Sequence, residues 1–407
     1  METENKVTLK RDISLYLLIF YGLGNILGAG IYVLVGKIAG ISGIFAPISF
    51  IVACIVVLFT ALSYSELSAR FPYSAGEALY AKHAFNSKYI SIFIGIIIAL
   101  SGILSSATII HGFNGYISNF FDLPSTLTAI LLLSILTIVA ILGIGKSVKF
   151  ATILTLVEIF GLLIIVFVGV ENIEFKNVEI KAFIPSFEIS IWYTISLGAF
   201  LAFYAFIGFE DMVNVAEEVK EPEKNMPKAI IITLIVSTTL YILVATISVL
   251  AIAPEILSKS DAPLADVYRT LTNKEPIILS IIGMFAVING ALIQIIMVSR
   301  LLYGMGMNKW IPSIFTKINE RTRTPIIATV FASVVILIFT LWLPIVTLAS
   351  LTSFFIFIVF TLMNLALIKI KLKSPTPEGI INIPFWIPTL GIIVNLVLLC
   401  IQIFSVV

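Results

Sequence analysis

Few side chains in this sequence are equipped for chemistry, and most of them sit where hydrocarbon should be. Glu158 lies in the middle of the apolar run KFATILTLVEIFGLLIIVFVG, Lys149 to Gly169, and Glu210 and Asp211 directly follow Gly208 in AFLAFYAFIGFED, Ala199 to Asp211. Carboxylates in such surroundings are costly unless they face protein or water, and by default they are candidates for ion or proton pathways. The bland alternative for Glu158 is a neutral group hydrogen-bonded between helices. Gln294, in another apolar run, suits interhelical hydrogen bonding or an ion path. His111 reads as a packed, hydrogen-bonded histidine. Cys54 and Cys400 lie in apolar runs without a CxxC or histidine neighbour, so they read as packing residues and no metal site is expected. No Ser/His/Asp set or carboxylate pair reads as catalytic. The chemistry on offer is binding and ion handling, and an enzyme is not expected.

The stretch YGLGNILGAGIY, Tyr21 to Tyr32, adds a second kind of chemistry, that of exposed main chain. Glycine weakens a helix and lets another group approach the backbone, so four glycines in an apolar segment need a reason. A dinucleotide-binding loop, a helix-packing face and a helix broken around a ligand all compete. Gly24 and Gly28 form a literal GxxxG, which supports packing.

The elements that carry these residues follow from composition. The chain has 407 residues, is 59% hydrophobic and only 12% charged, and has a net charge of +2. Its mean hydropathy is +1.12. Long continuous apolar runs without alternation imply membrane-crossing helices of roughly 20 residues each. That removes the dinucleotide loop, which needs a strand in a soluble sheet. Spans are expected near 13–36, 43–69, 89–112, 125–143, 150–170, 190–214, 229–253, 277–304, 325–344, 346–369 and 383–405, about eleven in all. With the N-terminus in the cytoplasm, nineteen of the 25 Lys and Arg fall in inner segments and six in outer ones. This predicts a multi-pass protein of the cell membrane with its C-terminus outside. The hydrophilic opening leads into a full-length span, so no removable signal peptide is expected. The basic residues serve topology and make no case for nucleic acid.

A second irregular span shifts the balance towards broken helices. Gly208 interrupts span 6, as the glycine cluster interrupts span 1. Irregular spans at corresponding places in two five-helix halves point to a transporter built from inverted repeats. A break frees N–H groups at the start of one half-helix and carbonyls at the end of the other. The first suit a carboxylate and the second an ammonium, so two adjacent breaks can hold a zwitterion without a charged side chain.

Three blocks, GLGNILGAGIY, FYAFIGFEDMVNVAEEVKEPEKNMPKAI and INGALIQIIMVSRLLYGMGMNKWIP, together resemble amino acid permeases of the amino acid/polyamine/organocation superfamily. The likeness runs through spans 1 to 10 in order, and ALSYSELSARFPYSAGEALYAKHAF resembles the family's link from span 2 to span 3. It implies an all-α membrane protein of LeuT type, one transport domain with a first repeat over 13–170, a second over 190–369, and an additional span at 383–405. Carried over by motif, the substrate carboxylate meets the backbone at Gly28, Ala29 and Gly30. The ammonium meets carbonyls at Ile26, Tyr204 and Ile207. Tyr204 falls where similar arginine/agmatine exchangers carry a gating aromatic, and Glu210 where they carry an acidic residue implicated in proton sensing. Glu158 stands where some proton-coupled relatives have a lysine in place of a sodium ion, and Gln294 lies near the family's second sodium region. The chain departs from the family in lacking a twelfth span, which bears on oligomer contacts more than on transport.

The expected function is secondary transport of amino acids by alternating access, coupled to H+ or Na+ and needing no other cofactor. A polyamine or organic-amine carrier of the same fold is the nearest alternative. An ion channel is the alternative of another class, and it would lack saturable countertransport.

Overall fold

The computed structural model describes residues 11, 13–73, 76–142, 148–174, 180–322 and 324–406. Helices stand at each of the eleven expected places, and no sheet occurs among the described residues, so the protein is all-α. The helices are α1 (Leu15–Ile26), α2 (Ala29–Ser42), α3 (Ala46–Arg70), α4 (Gly76–Phe85), α5 (Lys88–Ile117), α6 (Ser125–Leu142), α7 (Val148–Asn172) and α8 (Ile189–Phe203). They continue with α9 (Pro222–Ala251), α10 (Pro254–Leu257), α11 (Pro263–Thr272), α12 (Ile277–Met307), α13 (Ile326–Trp342), α14 (Ile345–Lys373) and α15 (Trp386–Val406). Nine helical runs among the described residues are long and apolar enough to cross a membrane, with α1 and α13 as shorter apolar helices; α2 and α3 form one of the nine. Residue 143, at the expected end of span 4, lies outside the described residues, as do the topology signals Lys6, Lys10, Lys146, Lys176 and Arg323. Span 7 starts seven residues before its expected position, because Pro222 takes the first turn, where a missing N–H costs nothing.

Span 1 is split into α1 and α2, separated by Leu27 and Gly28. Span 6 is split as well: α8 tightens into a 3-10 turn at Tyr204–Phe206, and a second 3-10 stretch begins at Glu210. Gly208 lies between them at φ +125°, and a Cβ there would sit 2.6 Å from the Asn25 carbonyl oxygen. Only glycine fits both that dihedral and that contact. The two breaks therefore lie against each other.

The remaining glycines of the span 1 cluster divide by neighbour. A Cβ on Gly22 would strike Met212 Sδ, one on Gly24 would overlap Thr155 Oγ1, and one on Gly30 would overlap Cα and Cβ of Ala205. A Cβ on Gly28 would find only the Ala286 carbonyl oxygen, at a comfortable 3.7 Å. Three of the four glycines thus allow helices to pack closely, and Gly28 opens onto free space.

Span 2 is fastened to spans 10 and 11 at two levels. Within the apolar layer, Ser63 Oγ donates to Asn364 Oδ1 at 2.6 Å, and the Asn364 and Asn395 side-chain amides both donate to Thr60 Oγ1. At the end of span 2 nearest α4, the fully buried Glu66 carboxylate accepts from Arg70 Nη2 at 2.7 Å, Thr376 Oγ1 at 2.9 Å, Lys371 Nζ at 3.0 Å and the Ile383 N–H at 2.7 Å. Large apolar side chains of α6, such as Leu131, Ile135 and Ile138, are exposed and turn outward as a lipid-facing stripe should. His111 Nε2 lies 3.1 Å from the Leu343 carbonyl, in keeping with a packed histidine. Cys54 accepts from Thr238 Oγ1, whereas Cys400 is exposed on the outer side of α15 and is not an internal packing residue.

Candidate functional site

A central cavity opens where the two breaks meet. Its lining comes from span 1 at Asn25, Ile26, Gly28 and Gly30, and from span 6 at Tyr204 and Ile207. Span 3 closes it with Ser105 and Ile109, and span 8 with Gly290, Ile293 and Gln294. Six of the residues singled out from sequence, Ile26, Gly28, Gly30, Tyr204, Ile207 and Gln294, are therefore brought together around one space. Ala29 is the first residue of α2, at the same edge.

The groups that face this space are complementary. No side chain caps α2, so its first N–H groups carry the positive end of a helix with no internal partner. The Ile26 carbonyl ends α1 and accepts from Tyr241 Oη at 2.7 Å; the same hydroxyl is 2.7 Å from the Ala205 carbonyl. Tyr241 of span 7 thus clasps both breaks, and a second lone pair on each oxygen stays available. Of the residues that line the cavity, Asn25 and Gln294 each have a buried side-chain atom, Nδ2 and Oε1, without a hydrogen-bond partner among the described residues, one a donor and the other an acceptor. Buried polar atoms are seldom left unpaired without a reason such as a ligand or water. Tyr204 is buried, and its hydroxyl is 3.0 Å from Ser105 Oγ and 3.2 Å from the Ser105 carbonyl. Any swing of this ring must first release span 3.

A second cavity adjoins the first and shares Ser105, Ile207 and Gln294 with it. Its character differs, because Glu77, Glu210 and Asp211 all line it. Glu210 Oε2 accepts from the Gly208 N–H at 2.8 Å, holding the span 6 break in shape. Glu77 stands on α4, in the link between spans 2 and 3, and accepts from Tyr64 Oη at 3.1 Å. Burial pushes the Glu77 carboxyl above the usual range, against the smaller opposing pull of its hydrogen bonds.

Glu158 lines neither cavity. It is 1% exposed, with Oε1 3.5 Å from Asn289 Nδ2 of span 8 and Oε2 without a partner. The Tyr32 hydroxyl donates to its main-chain carbonyl, which links span 5 to α2.

Asn25, Ser105, Ile109, Gly290, Ile293 and Tyr241 were not anticipated from the sequence. Asn25 alone carried a signal, as a polar residue inside the glycine cluster.

Comparison with known proteins agrees with this geometry. The profile of the amino acid permease family matches residues 13–407. A branched-chain amino acid permease of Bacillus subtilis is 28% identical over 397 residues, covering 92% of this chain and 83% of the relative. A mitochondrial cationic amino acid transporter of Arabidopsis thaliana is 27% identical over 383 residues, or 89% of this chain but 62% of its own length. A methylthioribose transporter of Bacillus subtilis is 25% identical over 409 residues, with 95% and 86% covered. All three are named for transport and none for catalysis. With its match running from the first broken span to the last residue, the chain belongs to the amino acid permease family.

Proposed function

We propose that the protein is a secondary transporter that carries amino acids by alternating access. One observation bears most of this weight: a single cavity joins the uncapped start of α2, the carbonyl ends at the two breaks, and two unpaired buried amide atoms. The N–H groups at Gly28, Ala29 and Gly30 receive the α-carboxylate, and carbonyls at Ile26, Tyr204 and Ile207 receive the α-ammonium. Tyr204, held to Ser105 of span 3, serves as a gate of the central cavity. The coupling ion is a proton, carried on the unpartnered oxygen of Glu158, with Glu210 as a further candidate; sodium, with the Gln294 amide oxygen as a candidate ligand, is the alternative. The two repeats, 13–170 and 190–369, rock around the cavity, and 383–405 is added to them. The protein resides in the cell membrane with a cytoplasmic N-terminus, as its Lys and Arg distribution favours.

Reconstitution into liposomes tests this. Amino acid uptake should saturate and should be driven by unlabelled amino acid on the opposite side, and Gly28→Val should abolish it. Flux that neither saturates nor shows countertransport would make the protein a channel. The three carboxylates of the second cavity favour one other reading, an organic-amine carrier, which would show countertransport with amines and none with amino acids.

A further inference from the structure

We infer that the substrate's side chain lies among Ile109, Gly290 and Ile293, that it is neutral and aliphatic, and that Gly290 sets the size accepted. This rests on amino acid transport as proposed above. In that reading spans 1 and 6 hold the α-carboxylate and α-ammonium, so the side chain is left to face the wall made by spans 3 and 8. That wall offers Ile109, Ile293 and bare main chain at Gly290. The bareness has no packing purpose. A Cβ on Gly290 would have one neighbour within 4 Å, the flexible Ile109 Cδ1 at 3.3 Å. Two turns earlier on the same helix, a Cβ on Gly283 would sit 2.6 Å from the Tyr116 ring, so that glycine does serve packing. The volume a side chain would take at position 290 belongs to the cavity.

Charge points the same way. Among the described residues no carboxylate or ammonium side chain lines the central cavity, and Glu77, Glu210 and Asp211 all belong to the second one. An ammonium or guanidinium held against Ile109 and Ile293 would lose its water and find only neutral acceptors, an unfavourable exchange. A branched hydrocarbon chain gains contact there instead.

The test uses the full-length protein, by thermal shift in detergent and by counterflow in liposomes, against glycine, alanine, valine, leucine, isoleucine, lysine and arginine. Valine, leucine and isoleucine should bind the wild type and drive counterflow, with lysine and arginine without effect at the same concentrations. Gly290→Val should weaken leucine by about tenfold or more while sparing glycine and alanine. Gly290→Ala, which asks Ile109 to yield only slightly, should move affinities in the same direction and guards against a misfolded valine variant. Lysine or arginine binding as tightly as leucine overturns the inference and leaves amino acid transport standing. An equal loss for every amino acid in the Gly290 variants overturns the role of that residue. Binding of no amino acid at all overturns the transport reading and this inference with it.

Discussion

Gly28 and Gly30 are two positions apart and look interchangeable in sequence, yet their surroundings assign them different work. A methyl group on Gly30 meets the main chain of Ala205, which cannot swing aside, whereas one on Gly28 enters the cavity. Gly30→Ala should therefore cost about 1–3 kcal/mol of stability through overpacking. Gly28→Ala should melt near the wild-type temperature and weaken substrate binding. Melting curves and calorimetry in detergent, run on both variants, would show the split; a Gly28 variant as unstable as the Gly30 one would return Gly28 to packing. Glu77 gives a pH dependence at the same scale. Because burial raises its folded pKa, the native state keeps a proton that the unfolded chain has lost, and stability falls as pH rises through that window. Glu77→Gln, neutral throughout, should show a shallower fall of melting temperature from the ordinary carboxylate range upward. The need for close main-chain approach was legible in the glycines; which of them leaves room towards the cavity was not, because that depends on Ala205 and Ala286, far away in the chain. Ser105, Ile109, Gly290 and Ile293 were silent for the same reason, being ordinary residues until spans 3 and 8 close on the breaks.

The spans themselves were legible because hydrophobic length is a local property, and both breaks were legible because a glycine beside charge or polarity inside such a length is locally anomalous. What ties one span to another was not. The Glu66 cluster joins α3, α14 and the link to α15 through partners some three hundred residues apart in the chain. Arg70 and Lys371 are only 4% and 6% exposed at their side chains, so removing the carboxylate strands two buried cations. Glu66→Ala should cost about 3–5 kcal/mol. Thr376→Val, which removes one neutral donor from the same carboxylate, should cost about 1 kcal/mol. Denaturation of both variants in one detergent gives the comparison, and equal small losses would mean that the cluster is a surface ornament.

For the whole molecule, the question is whether Glu158 couples the proposed transport to an ion. Glu158 sits outside both cavities; its carboxyl meets Asn289 of span 8, next to Gly290 of the central cavity, while its main-chain carbonyl accepts from Tyr32 of α2, so a change at the carboxyl bears directly on the span 8 wall. If it carries the proton, Glu158→Gln should retain substrate exchange between the two sides of a liposome and lose the response to an imposed pH gradient. Loss of a sodium dependence instead would identify a cation site. Uptake that keeps its wild-type dependence on both gradients would leave Glu158 as an interhelical hydrogen-bonding group.

The same Glu66 cluster also imposes an order on synthesis. Lys371 and the Ile383 N–H lie 305 and 317 residues beyond the carboxylate they satisfy. At about 5–20 residues per second, roughly 15–60 s separate the making of span 2 from the arrival of those partners. Throughout that interval the nascent second span has Arg70 alone to answer its charge. The ribosome thus delivers the fastening for span 2 only some three hundred residues after the span itself, and a chain halted after span 9 would reach the cell's proteases with that seam still open.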